Sequence, residues 1–433
     1  MDTGRGLGAF GAVRREEWPF ALCMFTNIFL VIATFWILKP LKKALFIQQY
    51  DQSGVLLLGH QFAAAEAELL AKVLNMLVAA VAVTVFTWLA RRLRRERLTA
   101  ALMAFFIAAD LVFAWLLVQP GPLTVWGFYL FGDLFSTLMV AAFFAFLNDS
   151  VTPDAAKRLY GFVGLGAVLG GVVGSSALGA LVGAFAAPVW ALVCAAIGVV
   201  VVVVAWTAAR MAVDTPAVAD ATPAPAHSAA LEGAALVLRS PYLLSIAAIV
   251  ALYEVVSTVM DFQFTSAVSH YLDGAAIARH LSVVFAITNV ASMLVQLFVT
   301  STLMQTWGVG AALLVLPFTA GLGSLAFLAW PGLWVGSLLN TADNAFSYSV
   351  NQSAKEALYV PTSADEKYKA KAFIDMFVQR AAKTVGVGLS LAMGAWFHSY
   401  ASVRWLSVVT IGLVVVWGVA ARYAGRRFAD ETT

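Results

Sequence analysis

Apolar runs long enough to cross a membrane, separated by short polar punctuation, recur along the whole chain. A bilayer core of about 30 Å needs roughly 20 apolar residues in helical form. Runs of that kind predict helices at roughly 19–39 (continuing to about 49), 64–90, 98–118, 123–147, 159–185, 188–208, 242–267, 279–301, 308–329, 331–351, 372–396 and 402–424. That makes twelve. The longest hydrophilic stretch, 209–240, carries Pro216, Pro223 and Pro225 and divides the chain into an N-terminal half 1–208 and a C-terminal half 241–433, with six helices each.

Basic residues set an orientation. Arg91, Arg92, Arg94, Arg95 and Arg97 follow the second run, Lys157 and Arg158 the fourth; Arg210 and Arg239 flank the connector; Lys367, Lys369 and Lys371 precede the eleventh, and Arg422, Arg426 and Arg427 close the chain. The positive-inside rule puts all of these, and both termini, in the cytoplasm. The opposite loops, 119–122, 186–188 and 330–332, contain no lysine or arginine. An all-α integral membrane protein with twelve helices in two joined halves fits the major facilitator architecture, whose solute site lies near the midplane between the halves. The cell (inner) membrane is the expected location.

Composition agrees. The 433 residues are 61% hydrophobic and 12% charged, with a mean hydropathy of +0.86, too little polar surface for a water-soluble globule of this size. The first run is too long for a signal-peptide core and is expected to be retained. The net charge of +3 resides mostly in loops, so no nucleic-acid partner is expected. Cys23 and Cys194 both fall inside apolar runs and the five histidines lack ligand spacing, which predicts neither disulfides, metal nor cofactor. The glycine-rich run from Gly161 to Gly183 lacks a Gly-Lys-Ser/Thr ending and is no phosphate loop. An enzyme is not expected. Gly166, Gly170 and Gly174, four residues apart, predict close packing of two helices.

Charges within the apolar runs are the candidate chemistry. Each costs about 2.5–3.5 kcal/mol at mid-bilayer on insertion scales, so they must pair or line a cavity. Lys39, Lys42 and Lys43 share a face at the outward end of the first run, against the orientation that every other basic cluster obeys, and Pro40 is expected to bend or break the helix beside them. The remaining charges are Glu68 and Lys72, spaced for an internal salt bridge, then Asp110, Asp133, Glu254, Asp261, Asp343, Asp375, Arg380 and Lys383. Arg380 and Lys383, three apart, are expected on one face. Asn340, Asp343 and Asn344 form a polar patch on the tenth run, and a faint match between the halves sets Lys43 opposite Asp261. Ammonium and guanidinium groups with a few carboxylates suit a solute that is strongly anionic at one end.

Three islands resemble the non-mitochondrial nucleotide transporter family, the ATP/ADP antiporters of plastids and of intracellular bacterial parasites. They are Ile37-Leu38-Lys39-Pro40-Leu41-Lys42-Lys43-Ala44-Leu45; Asn148 to Thr152 with Ala156-Lys157-Arg158-Leu159-Tyr160; and Lys355-Glu356-Ala357-Leu358-Tyr359-Val360-Pro361 with Lys369 to Asp375, Arg380 and Lys383. The resemblance implies Lys42 and either Lys355 or Lys383 for nucleotide phosphates, and matches Asp133 and Glu254 to the family's transport-relevant acids. Lys43 stands where the family has an acid, Asp133 replaces a glutamate, and Thr258 sits where a lysine would follow the acid of the seventh helix. The expectation is an exchanger of nucleotides or related phosphorylated anions, with Lys39, Lys42, Lys43, Asp133, Glu254, Asp261, Lys355, Arg380 and Lys383 as the solute site. The alternatives are transport of another anion, proton coupling through Asp133 or Glu254, or a lipid-handling or non-transporting relative. Oligomeric state is not legible.

Overall fold

Most helix starts are written locally. Proline, whose missing N–H is harmless in the first turn, opens or nearly opens the helices at Pro122, Pro153, Pro188 and Pro241. Thr152 and Ser240 cap two of them, their hydroxyls accepting from the backbone N–H groups of Ala155 and Leu243. The computed structural model describes residues 14–51, 53–57, 59–90, 92–212, 226–362, 369–396 and 399–432. The connector's residues 213–225, and Lys367, lie outside that set.

In unit 1, made of Met1–Gln49, Ala71–Asp220 and Gly274–Ala286, the helices are α1 (Trp18–Tyr50), α2 (Ala64–Ala90), α3 (Arg95–Leu116), α4 (Pro122–Asn148), α5 (Pro153–Leu181) and α6 (Ala187–Met211). Pro40 does not break α1, which continues through it for ten more residues to Tyr50; the expected interruption is absent, and Lys42 and Lys43 are buried rather than reaching for headgroups. The α5 glycine spacing does what it predicts. A Cβ at Gly166 would come within 2.6 Å of the Phe25 carbonyl oxygen, and Gly170 and Gly174 sit as tightly on Phe29 and Ala33, so a ladder on α5 lies against the backbone of α1. Around α3 and α4, Phe106, Phe113, Phe128, Phe131 and Phe135 interlock edge and face.

Unit 2 comprises Tyr50–Leu70, Ala221–Asp273 and Ile287–Thr433. A hairpin that the apolar pattern does not announce, β1 (Val55–Leu57) with β2 (His60–Phe62), precedes the start of α2. Next come a connector helix (Ala226–Arg239), α7 (Pro241–Tyr271), α8 (Ala275–Leu294, continued to Thr306), whose residues up to Ala286 belong to unit 1, α9 (Gly308–Ala329), α10 (Leu333–Phe346), α11 (Gln379–Trp396) and α12 (Leu406–Thr432). The connector helix packs on unit 2 through Glu232, whose carboxylate lies 2.9 Å from the Lys369 ammonium. Tyr242, Ile246, Val256, Leu316, Leu339 and Trp417 form the core.

Ten described helices are long and apolar enough to cross a membrane. The other two runs, 331–351 and 372–396, are helical but interrupted. The wide turn Ser347–Asn351 follows α10, and Ile374–Val378 precedes α11. Both are π turns, which insert one residue into the helical repeat and concentrate at functional positions.

Candidate functional site

In unit 1, Lys42 leaves α1 four residues before Phe46 and runs past Gly132 of α4; a Cβ there would lie 2.8 Å from Lys42 Cδ. The missing side chain lets the ammonium reach the next residue, Asp133, with which it forms an ion pair. Asn75 Nδ2 donates to the other Asp133 oxygen at 2.8 Å. The Lys42 ammonium also lies 4.3 Å from the Tyr129 ring centroid and 3.4 Å from the Tyr129 carbonyl oxygen. Lys42 is 5% exposed at its side chain and Asp133 26%, so the carboxylate is the group that still meets solvent. Lys39, one turn earlier, lies over Trp36 at 4.4 Å and Phe285 at 5.2 Å, an aromatic seat that offsets part of its desolvation. Lys43 is buried beside them in sequence.

Unit 2 gathers a second set. A pocket of about 380 Å³ is lined by Tyr253, Glu254 and Ser257 of α7, by Asn344, Ser347, Tyr348, Asn351, Gln352 and Lys355 from α10 and the turns after it, and by Gln379 and Lys383 of α11. The volume lies in the range of small-molecule sites. Two ammonium groups and one carboxylate thus face a common space, and Gln379 Nε2 holds Glu254 by donating to Oε1. The π turns place this lining: Ser347 and Asn351 lie within the first, and Gln379 follows the second directly.

The residues singled out from sequence therefore separate. Lys42 and Asp133 meet in unit 1; Glu254, Lys355 and Lys383 meet in unit 2. Arg380 is exposed and not part of the pocket lining, although it precedes Lys383 by three residues. Asp261, two turns beyond Glu254 on α7, accepts a hydrogen bond from Asn340 of α10 at 3.3 Å. Sequence reasoning missed Asn75, Tyr129 and Gln379. Tyr129 had a signal, four residues before Asp133 on the same helical face; Asn75 and Gln379 are neutral amides with none.

Sequence and fold are both similar to those of known proteins. The profile of the Major Facilitator Superfamily matches residues 7–361. A crystal structure of a mutant form of nucleoside transporter NupG superimposes with a TM-score of 0.67 over 94% of this chain and 99% of that one at 13% identity. A bacterial homologue of the human lysosomal transporter Spinster does so with a TM-score of 0.57 over 97% and 99% at 15% identity. The chain belongs to the Major Facilitator Superfamily and is a multi-pass integral membrane protein.

Within that class, the profile of the TLC ATP/ADP transporter family matches residues 331–428, the stretch that supplies Lys355, Gln379 and Lys383. ADP,ATP carrier protein 2 of Arabidopsis thaliana chloroplasts is 26% identical over 344 residues, 70% of this chain and 55% of that protein. ADP,ATP carrier protein 2 of Chlamydia trachomatis serovar D is 26% identical over 223 residues, 46% and 41% of the two chains. The chain spans about half the length of the curated relatives it matches.

Proposed function

We propose that the protein is a secondary transporter that exchanges nucleotides of the ATP/ADP kind, or closely related phosphorylated anions, by alternating access. The observation that carries this reading is the convergence of Lys355 and Lys383 on one pocket beside a carboxylate held by Gln379. Ammonium groups attract phosphate oxygens as point charges, and a fixed carboxylate accepts hydrogen bonds from an amine or ribose hydroxyl. The Lys42–Asp133 pair supports the same reading, because a phosphate that competes with Asp133 exchanges one anionic partner of Lys42 for another. Such a site is neutralised when empty and favours a solute that brings its own negative charge. The names of the relatives, ADP,ATP carriers, point to the same solute class.

The two halves 1–208 and 241–433, joined through 209–240, are the bodies expected to move. The protein resides in the inner membrane with both termini in the cytoplasm, by the distribution of its basic loops.

Thermal stabilisation of the detergent-purified protein tests the reading. The panel is ATP, ADP, other nucleotides, sugar phosphates, inorganic phosphate and dicarboxylates. A ligand at a hundred times its Kd stabilises by about 2.7 kcal/mol. The expected result is a shift with nucleotides that shrinks in Lys383→Ala. No shift with any soluble anion removes the reading.

A further inference from the structure

Behind the wall of the unit 2 pocket lies an acid that anion binding does not use. Asp343 of α10 is 4% exposed. Its Oδ2 accepts one hydrogen bond, from Ser257 Oγ at 2.6 Å, and its Oδ1 is buried with no hydrogen-bond partner. Among the described residues no cation forms an ion pair with it.

Among the described residues, the charged groups on the helices packed against Asp343 are acids. On α7 the charged groups near Asp343 are Glu254 and Asp261, both acids, and the phenol of Tyr253 is close by. Helix α9, which also packs against α10, contains no ionisable side chain, and α10 itself has no other. The pocket's cations, Lys355 and Lys383, share its lining with Ser257. An ionised carboxylate held out of water by one neutral hydroxyl, with acids as its neighbours, carries an uncompensated desolvation cost. A proton on the carboxyl removes that cost.

A route exists for the proton. Ser257 lines the pocket and at the same time donates to Asp343, so its hydroxyl is the single step between pocket water and the buried acid. We propose that Asp343 is a proton-binding site, loaded from the pocket through Ser257, and that the proton it takes is coupled to the solute in the pocket. In loading, the Ser257 hydroxyl passes its proton to Oδ2 and receives one from a hydronium ion in the pocket, which is left as water, so that serine ends neutral and Asp343 becomes a neutral acid. Neutral Asp343 withdraws one negative charge from behind the pocket and favours an anion there; by reciprocity the anion favours the proton. Anion affinity therefore falls as Asp343 loses its proton.

This goes beyond the nucleotide reading but shares its pocket, so the test separates them. Binding of ATP to the full-length, detergent-purified protein is measured by calorimetry at about pH 7 in two buffers of different ionisation heat. The wild type takes up protons as ATP binds. Asp343→Asn, which mimics the neutral acid, keeps the ATP-induced thermal shift and loses the proton uptake. Uptake that persists unchanged in a folded Asp343→Asn overturns the proposal, as does ATP binding by the wild type without proton uptake. If Asp343→Asn does not fold, Ser257→Ala decides: altered proton uptake upholds the link and unchanged uptake overturns it. If ATP does not bind, the nucleotide reading fails, and melting of the solute-free protein from about pH 5.5 to about pH 8.5 decides the proton site alone. Loss of wild-type stability with rising pH that Asp343→Asn abolishes supports it; identical profiles overturn it.

Discussion

Lys42 of α1 and Asp133 of α4 form a buried ion pair, and Gly132 makes room for it. Removing one member of a fully buried pair costs about 3–5 kcal/mol because the other is left uncompensated. Asp133 is a quarter exposed, so Lys42→Ala should cost less, about 1–2 kcal/mol. Asp133→Asn strands the more deeply buried lysine and should cost more than Lys42→Ala. The double variant Lys42→Ala/Asp133→Asn should regain stability and still fail to exchange nucleotide. Chemical denaturation and liposome exchange together check this; additive destabilisation would show that the two groups do not interact.

The α5 ladder makes a sharper claim about packing. Gly170→Val puts a branched side chain where even a Cβ meets the backbone of Phe29, and overpacking of this kind costs about 1–3 kcal/mol or more. Gly183, on the same run, has open space where its Cβ would lie. Gly183→Ala should therefore leave the melting temperature unchanged, while Gly170→Val should lower it by several degrees. Equal effects of the two would mean that the α1–α5 approach contributes nothing to stability.

The glycine ladder was legible in the sequence because its spacing is a local signal; Lys42 and Asp133 each stood out as charges in apolar runs, but their pairing, which joins distant helices, did not. The pocket was half legible. Glu254 and Lys383 stand out as charges in apolar runs, and Lys355 only through the family resemblance; their meeting involves π turns, which shift the 3.6-residue periodicity that a sequence reading assumes. Arg380 and Lys383 lie in the same regular helix, and there the three-residue spacing failed: Arg380 is exposed and does not line the pocket. Pro40 misled in the other direction: a helix packed on several sides keeps its course without one hydrogen bond. The hairpin β1–β2 is three residues per strand, below what alternation can reveal; Gly54 just before β1 and Gly59 between the strands both lie in the left-handed region, with φ of 61° and 81°.

That hairpin is seated by acids. Ser269 Oγ donates to Asp51 Oδ1 at 3.0 Å, and burial, followed by the facing Asp273 carboxyl, pushes Asp51 above the usual carboxylate range, against the lowering effect of Ser269. A carboxyl whose folded pKa is raised binds its proton more tightly in the seated form. The seat is therefore strongest below the ordinary carboxyl pKa of about 3.9 and weakens as pH rises from there through the raised value. Hydrogen exchange across residues 53–62 should quicken over that rise in the wild type. In Asp273→Asn the repelling charge is gone, and protection should persist to higher pH; an identical profile would rule the carboxyl pair out as the cause.

Lys355 and Lys383 make the last prediction, because two ammonium groups that face one pocket should read the charge of their ligand. A hydrogen bond to a charged group contributes about 1.5–3 kcal/mol, so Lys355→Ala or Lys383→Ala should each weaken nucleotide binding by about tenfold to a hundredfold. The loss should be larger for ATP than for AMP, since the longer phosphate chain carries more negative charge to meet the two cations. Added salt should weaken the wild type more than either variant, because screening acts on the charge that each variant lacks. Gln379→Leu frees Glu254 from its fixed position and should blunt discrimination between nucleosides while leaving the ATP-to-AMP ratio in place. Isothermal titration with the adenine nucleotides at two salt concentrations measures all of these. If Lys355→Ala and Lys383→Ala weaken AMP and ATP equally, the two lysines do not grip a phosphate chain.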